Sequence, residues 1–315
     1  MERSEINNLE TMKRNIVAMA LLLLAWTQAW AQKERAGGYS PVFCPTMKSE
    51  LPDDVRETSG LFFHGGKLWT HNDSGGKPVL YGIDTVDFRI VQEITLAKVD
   101  NKDWEDVCTD GTNVFVGDFG NNKGNRDNLK IYTFPLSAIP DKGDATVNVE
   151  TIRFRFGDQT ELKKRKIHDF DCEALFATDD ALYLLSKGWE TGTTRLYRLP
   201  KTPGNHVAEV VNGFDSQGLV TGADYDPKSG TLVVVGYVKS LHKPFLYLIY
   251  GFDEAGERLP HHRFEMPLWP GLQTEGVCFF GDGKCFISAE GTPAYSTRVF
   301  LADFRGFISR YLKNK

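Results

Sequence analysis

A short unit recurs five times along this chain and limits what it can fold into. Each copy opens on a polar residue, a small or acidic residue and an aliphatic: Ser59-Gly60-Leu61, Glu105-Asp106-Val107, Glu173-Ala174-Leu175, Thr221-Gly222-Ala223 and Glu275-Gly276-Val277. Each then reaches an aliphatic-aromatic pair, at Leu80-Tyr81, Ile131-Tyr132, Leu196-Tyr197, Leu246-Tyr247 and Val299-Phe300. Between them lie short runs rich in Val, Leu, Phe and Trp and bounded by Gly or Asp, such as Lys67–His71, Asn113–Gly117 and Thr231–Gly236, which read as strands. Repeats of roughly 40–50 residues built from short strands predict an all-β β-propeller of four-stranded blades. Five blades is the direct count. Six is the alternative, because Glu105 to Glu173 spans 68 residues against 46–54 for the other intervals.

Fourth strands are expected at Arg89–Thr95, Asn148–Phe156, Ala208–Asn212 and His262–Met266. No helical periodicity is evident beyond the N-terminal leader. Residues 40–50 or 304–311 are candidates to add an outer strand to the last blade and so cover an open edge. The expected organisation is a signal peptide at 1–31, a ring-closing segment at 32–56 and one propeller domain at 57–315.

The leader carries Met12-Lys13-Arg14-Asn15, an apolar run from Ile16 to Trp26, and Ala29-Trp30-Ala31 before Gln32. That is the pattern of a secretory signal. Its apolar run is shorter than the ~20 residues a spanning helix needs. A periplasmic or secreted protein is expected, with no membrane span after cleavage. The 315 residues carry 37 basic and 42 acidic side chains, a net charge of −5, which gives no electrostatic case for nucleic acid. Lys163-Lys164-Arg165-Lys166 reads as a solvated loop. The cysteines are Cys44, Cys108, Cys172, Cys278 and Cys285. Cys278 and Cys285 flank the turn Gly281-Asp282-Gly283 and are the candidate pair, whereas Cys108 and Cys278 share a slot suited to packed thiols.

A blade's first strand starts, and its second strand ends, at the same mouth of the channel. The starts contribute Glu57, Ser59, Asp103, Glu105, Asp106, Asp171, Glu173, Thr221 and Glu275, and the second-strand ends contribute His71, Asn72, Asp73, Asp118, Asn121, Asn122, Lys187, Tyr237 and Glu290. An acidic, amide-rich ring follows. Its candidate ligand contacts are Glu57, His71, Asn72, Asp73, Trp104, Asp106, Asn121, Asn122, Lys187 and Glu290. Glu105, Asp118, Glu173 and Glu275 are the candidate metal ligands, since carboxylate and amide oxygens suit Ca²⁺ or another divalent ion. Glu105 and Glu173 are the candidate acid–base groups, because crowded carboxylates raise one another's proton affinity. Three functions fit: binding of a small molecule or polymer, divalent-metal-dependent hydrolysis of an ester, lactone or phosphoester, or a protein-interaction scaffold in which the ring is structural. His168 reads as a surface residue, His261-His262 as part of an outer strand, and Trp189 and Trp269 as packing aromatics. The nucleophile elbow, the phosphate-binding loop and the zinc-protease helix motif are missing.

The motifs E-T-S-G-L (from Glu57), T-H-N-D-S-G, D-W-E-D, G-D-F-G-N-N, D-F-D-C-E-A, T-G-A and E-G-V span Glu57 to Glu290. Together they resemble a group of exported, largely uncharacterised propeller-type proteins common in Bacteroidetes. More distantly, the blade openings are similar to the SMP-30/gluconolactonase, esterase-like phytase and SdiA-regulated propeller families. The first of these implies a divalent metal held in the channel by carboxylates and amides. Some relatives carry a C-terminal sorting domain, and its absence before Lys315 favours the periplasm as the expectation.

Overall fold

The computed structural model describes residues 41–238, 243–253, 261–267, 271–293 and 295–313; the leader and Trp269 lie outside the described residues. Residues 42–315 make one unit by themselves. The unit is all-β and of propeller type.

An N-terminal strand, β1 (Thr46–Glu50), comes first in the chain. It is followed by β2 (Thr58–His64), β3 (Lys67–Asn72), β4 (Val79–Asp84) and β5 (Ile90–Leu96). Next come β6 (Trp104–Thr109), β7 (Asn113–Asp118), β8 (Lys130–Pro135), β9 (Ala145–Val147) and β10 (Glu150–Phe156). The third stretch is β11 (Asp171–Ala177), β12 (Leu182–Lys187), β13 (Thr193–Leu199) and β14 (Gly204–Asp215). The fourth is β15 (Leu219–Asp226), β16 (Thr231–Val238), β17 (Lys243–Tyr250) and β18 (His261–Glu265). The last is β19 (Thr274–Gly281), β20 (Lys284–Ala289), β21 (Arg298–Asp303) and a helix, α1 (Arg305–Lys313).

Pairing is antiparallel in the sheets β15-β16-β17-β18 and β1-β21-β20-β19 and among β2-β3-β4-β5, whose edge strand β5 takes β9 in parallel. The remaining sheet, β11-β12-β13-β14-β10-β8-β7-β6, is two antiparallel quartets joined edge to edge by the parallel pair β10–β14. The first strands pack side by side in a closed circuit: β2 on β6, β6 on β11, β11 on β15, β15 on β19, and β19 back on β2.

The core lies in the seams between neighbouring quartets, which explains the near-continuous apolar runs. Successive side chains of a strand point to opposite faces. In β12, Leu182 and Leu184 enter one seam while Tyr183 and Leu185 enter the next. In β3, Leu68 faces the seam shared with β20 and Trp69 the seam shared with β6. Both faces are buried, so alternation of apolar with polar residues is lost.

The repeated opening has a geometric cause. Each first strand breaks register at its mark, between Thr58 and Leu61, Trp104 and Asp106, Cys172 and Ala174, Val220 and Gly222, and Thr274 and Val277. A bulge inserts an unpaired residue and re-aims its side chain. The next residue must be small, because the strands converge there. A Cβ on Gly222 would stand 2.3 Å from the Glu275 carbonyl oxygen, and one on Gly276 2.3 Å from that of Ser59. Asp106 is the exception that fills the gap. Its carboxylate accepts N–H bonds from Val107 (2.8 Å), Leu175 (2.8 Å) and Ala223 (3.4 Å), and a Cβ on Gly60 would lie 2.4 Å from its Oδ1. It therefore ties three first strands, β6, β11 and β15, together.

One expectation needs correction, and two others narrow. All five cysteines are unpaired, and Cys278 and Cys285 lie on opposite faces of their hairpin, because Cys278 pairs with Phe286 and Cys285 with Phe279. Ring closure comes from β1, inside the first of the two candidate segments. Residues 305–313 form α1, whose Phe307 and Ile308 cover the β19–β21 seam. The extra length of the second repeat supplies β9, which adds to the edge of β5.

Candidate functional site

At the mouth where the first strands begin, the bulged residues Ser59, Glu105, Glu173, Thr221 and Glu275 form the innermost tier. Ser59 Oγ donates to the Glu105 carbonyl and Thr221 Oγ1 to that of Thr274 (2.6 Å). Glu173 is ion-paired with Lys187 in a nearly closed environment, the two side chains being 7% and 6% exposed. The Lys187 ammonium also lies 5.2 Å and 5.3 Å from the ring centres of Trp189 and Tyr237.

A second tier descends from the turn after β3. Asn101 clamps it: its amide donates to the carbonyls of Asn72 (2.8 Å) and Asp73 (2.6 Å) while its Oδ1 accepts from Trp104 N–H. Asp73 is thereby carried to the start of β6. One oxygen from each of Asp73, Asp103 and Glu105 lies within 4.8 Å of the other two. Glu105 is 5% exposed and its Oε1 has no hydrogen-bond partner; neither does the buried Asp73 Oδ1. Gly120 presses on this group, since a Cβ there would sit 1.9 Å from Glu105 Oε1.

Electrostatics single out the same residues. Burial, then the charge of Asp103, pushes Asp73 up to about 7. Burial pushes Asp103 to about 6 against the pull of Arg126. Glu105 lies well above the usual carboxylate range through burial and the charges of Glu173, Asp73 and Asp103. Glu173 reaches about 8, burial outweighing Lys187, and Glu275 is raised mainly by burial. Burying a charge without a partner is costly, so these groups either hold protons or share a cation.

The other candidates divide by what already occupies them. Asp118 is taken by Arg126 (2.7 Å) and Lys130 (3.4 Å). Asp171 accepts from Asn121 N–H, Cys172 N–H and Trp189 Nε1, so Trp189 does more than pack. Asn72 braces Asp54 and Glu57 through its amide, and Asn121 braces Phe170 and Arg126. Glu290 accepts from Gln273 (2.8 Å), and the charges of Glu57 and Lys187 both act on it. Asn122 and Glu57 are exposed, and Asp106 is spent on the axis. His71 shares a hydrogen bond between Nδ1 and the Asn72 carbonyl, so Nδ1 carries the proton; Nε2 is buried without a partner, and burial lowers the ring to about 4. Trp104 meets it edge-on at 5.5 Å. His168 is 3% exposed rather than on the surface, with Nδ1 accepting from Phe170 N–H. Lys163–Lys166 are all exposed, as are His261 and His262 on β18.

Asp103 joins Glu105 and Asp73 in the trio although its sequence position marked it only as part of the rim. Its signal was proximity in the chain: it lies in the bend just before β6, two residues from Glu105. Arg126, the residue that removes Asp118 from the open set, had no such signal.

Two carboxylates with buried, unpartnered oxygens, walled by a glycine and joined by Asp103, whose Oδ2 lies 3.7 Å from the Arg126 guanidinium, fit a hard divalent cation. Ca²⁺–O distances of ~2.3–2.6 Å let one ion touch oxygens that lie up to about 5 Å apart.

No protein-family model matches the chain, and no curated protein is significantly similar to it. Solved structures resemble it distantly. A glucose dehydrogenase aligns over 82% of this chain and 99% of its own at 11% identity and TM-score 0.47. A mannose phosphorylase from Leishmania mexicana, in complex with phosphate ion, aligns over 90% and 94% at 10% identity and TM-score 0.44. A chain of a nidogen/laminin complex aligns over 81% and 88% at 12% identity and TM-score 0.45.

Proposed function

We propose that this protein is an exported five-bladed propeller that binds a divalent cation, Ca²⁺ by donor type, through Asp73, Asp103 and Glu105 at one channel mouth. Export rests on the basic, apolar and small-residue succession of the leader, and the blade count on the closed circuit of first strands. The observation that carries the cation is Glu105 Oε1, buried, unpartnered and beside two further carboxylates. The test is a Tb³⁺ titration of residues 32–315, excited through Trp104, which lies between Asp103 and Glu105 in the chain. We expect sensitised emission that Ca²⁺ competes away and that Glu105→Gln abolishes without unfolding the protein. Emission unchanged in Glu105→Gln would overturn the reading.

One observation favours hydrolysis as a second reading. Glu173, held near a proton affinity of about 8 beside Lys187, can take and return a proton at neutral pH. A bound cation would polarise an ester, lactone or phosphoester oxygen. Turnover that requires the cation and disappears in a folded Glu173→Gln variant supports it. Cation binding with no turnover leaves a binding protein, and neither leaves the scaffold.

A further inference from the structure

Beside the three carboxylates the surface sinks into a cleft of about 490 Å³. Asp103 belongs to its wall, so cleft and carboxylates are continuous. Its other exposed lining is Lys102, Lys123, Asp127, Asn122, Asn125 and Ser74, with no aliphatic or aromatic residue among the lining. Arg126 also lines it but is committed to the Gly120 carbonyl, Asp118 and Asn128, with its guanidinium 3.7 Å from Asp103 Oδ2. Lys102 and Lys123 stand in no ion pair among the described residues, while the protein as a whole is acidic.

A hard cation of the Ca²⁺ type takes roughly 6–8 oxygens, and the trio brings together one oxygen from each of three carboxylates. The shell is therefore open on some side. Glu105 is buried and Gly120 lies against it, which closes the inner side. Asp103 faces the cleft, so further oxygens enter from there. The exposed charges there are two unpaired ammonium groups against one carboxylate, Asp127. A ligand that gives an oxygen to a cation and satisfies two lysines is anionic. One held otherwise by Asn122 and Asn125, with no apolar wall, is rich in hydroxyls.

We infer that the cleft binds a small hydroxylated oxyanion, a sugar bearing a carboxylate or phosphate. One anionic oxygen bridges to the cation at Asp103, and Lys102 and Lys123 meet the remaining charge. The inference rests on the cation site proposed above and adds its ligand class.

The experiment is calorimetric titration of the protein in Ca²⁺ with one sugar in three forms: galacturonate, galactose 6-phosphate and neutral galactose. Binding of either anion, absence of galactose binding, loss on chelation, and a loss of about tenfold or more in Lys102→Met/Lys123→Met are expected. The two anions separate carboxylate from phosphate as the preferred group. Both lysines are exposed, so near-ultraviolet dichroism of the double variant should match that of the parent. Equal affinity for galactose and the anions, or undiminished affinity in the double variant, overturns the inference. Tb³⁺ emission measured in parallel tells the two failures apart. Without emission the cation site fails; with emission and no anion binding, the ligand class alone fails.

Discussion

Asp73→Asn tests whether the carboxylate trio stores unfavourable charge. Asp73 rises from 3.8 to about 7 on folding, chiefly through burial and secondly through Asp103. The folded protein therefore holds a proton that the unfolded chain has released. A raised carboxyl stabilises fully below pH 3.8, and that contribution is lost as pH climbs through about 7. One proton corresponds to a slope of ~1.4 kcal/mol per pH unit, hence up to ~4 kcal/mol across the window. Asparagine cannot titrate, and removing the charge also relaxes Glu105 and Glu275, which both feel it. Urea midpoints measured with chelator at pH 5, 6 and 7 should fall with pH in the parent. They should fall less in Asp73→Asn, by about 1 kcal/mol per unit. Millimolar Ca²⁺ should flatten the parent's curve, since the cation replaces the proton. Parallel curves for parent and variant, or a parent whose stability rises over this range, would refute the reasoning.

Lys187→Met strands Glu173 in a buried site and should cost about 3–5 kcal/mol in urea unfolding, most of it recovered by adding Glu173→Gln; a double variant no more stable than the single would remove the pair from the argument. Gly276→Ala drives a Cβ into the Ser59 carbonyl at 2.3 Å and should destabilise by at least about 2–3 kcal/mol. Gly306→Ala, in α1 with nothing within 4 Å, is the clash-free control in the same denaturation assay and should stabilise by up to about 1 kcal/mol.

The strands were legible because each contributes to two seams, which gives five- to eight-residue apolar runs closed by Gly or Asp. The rim was legible because strand polarity places the start of β6 beside the end of β7 whatever the loops do. Partners were not. Asp118 and Asp73 look alike in sequence, each acidic and at or just beyond the end of a second strand. One is neutralised by Arg126 from a loop that folds back, and the other is clamped with a bare oxygen by Asn101. Asp171 receives an N–H from Asn121, fifty positions away. The helix α1, at nine residues, is too short to show a period, and β9, at three, is too short to read as a strand. His168 looked exposed because loop membership is a poor guide when Gly124 folds over the ring.

The bulge that seals the ring also shows which charges are surplus to the fold. Five residues occupy the same bulged position, and two of them, Ser59 and Thr221, meet its local needs by donating a hydroxyl to a neighbouring carbonyl. An uncharged side chain therefore suffices for closure. Glutamate at the other three positions brings burial costs that raise all three carboxyls; Lys187 is ion-paired with Glu173 and its charge also acts on Glu275. A purely structural rim would be served as well by serine or threonine at position 105, where the glutamate instead holds an unpartnered oxygen toward Asp73 and Asp103. The fold tolerates that carboxylate without requiring it, which is the expected mark of a residue kept for a ligand.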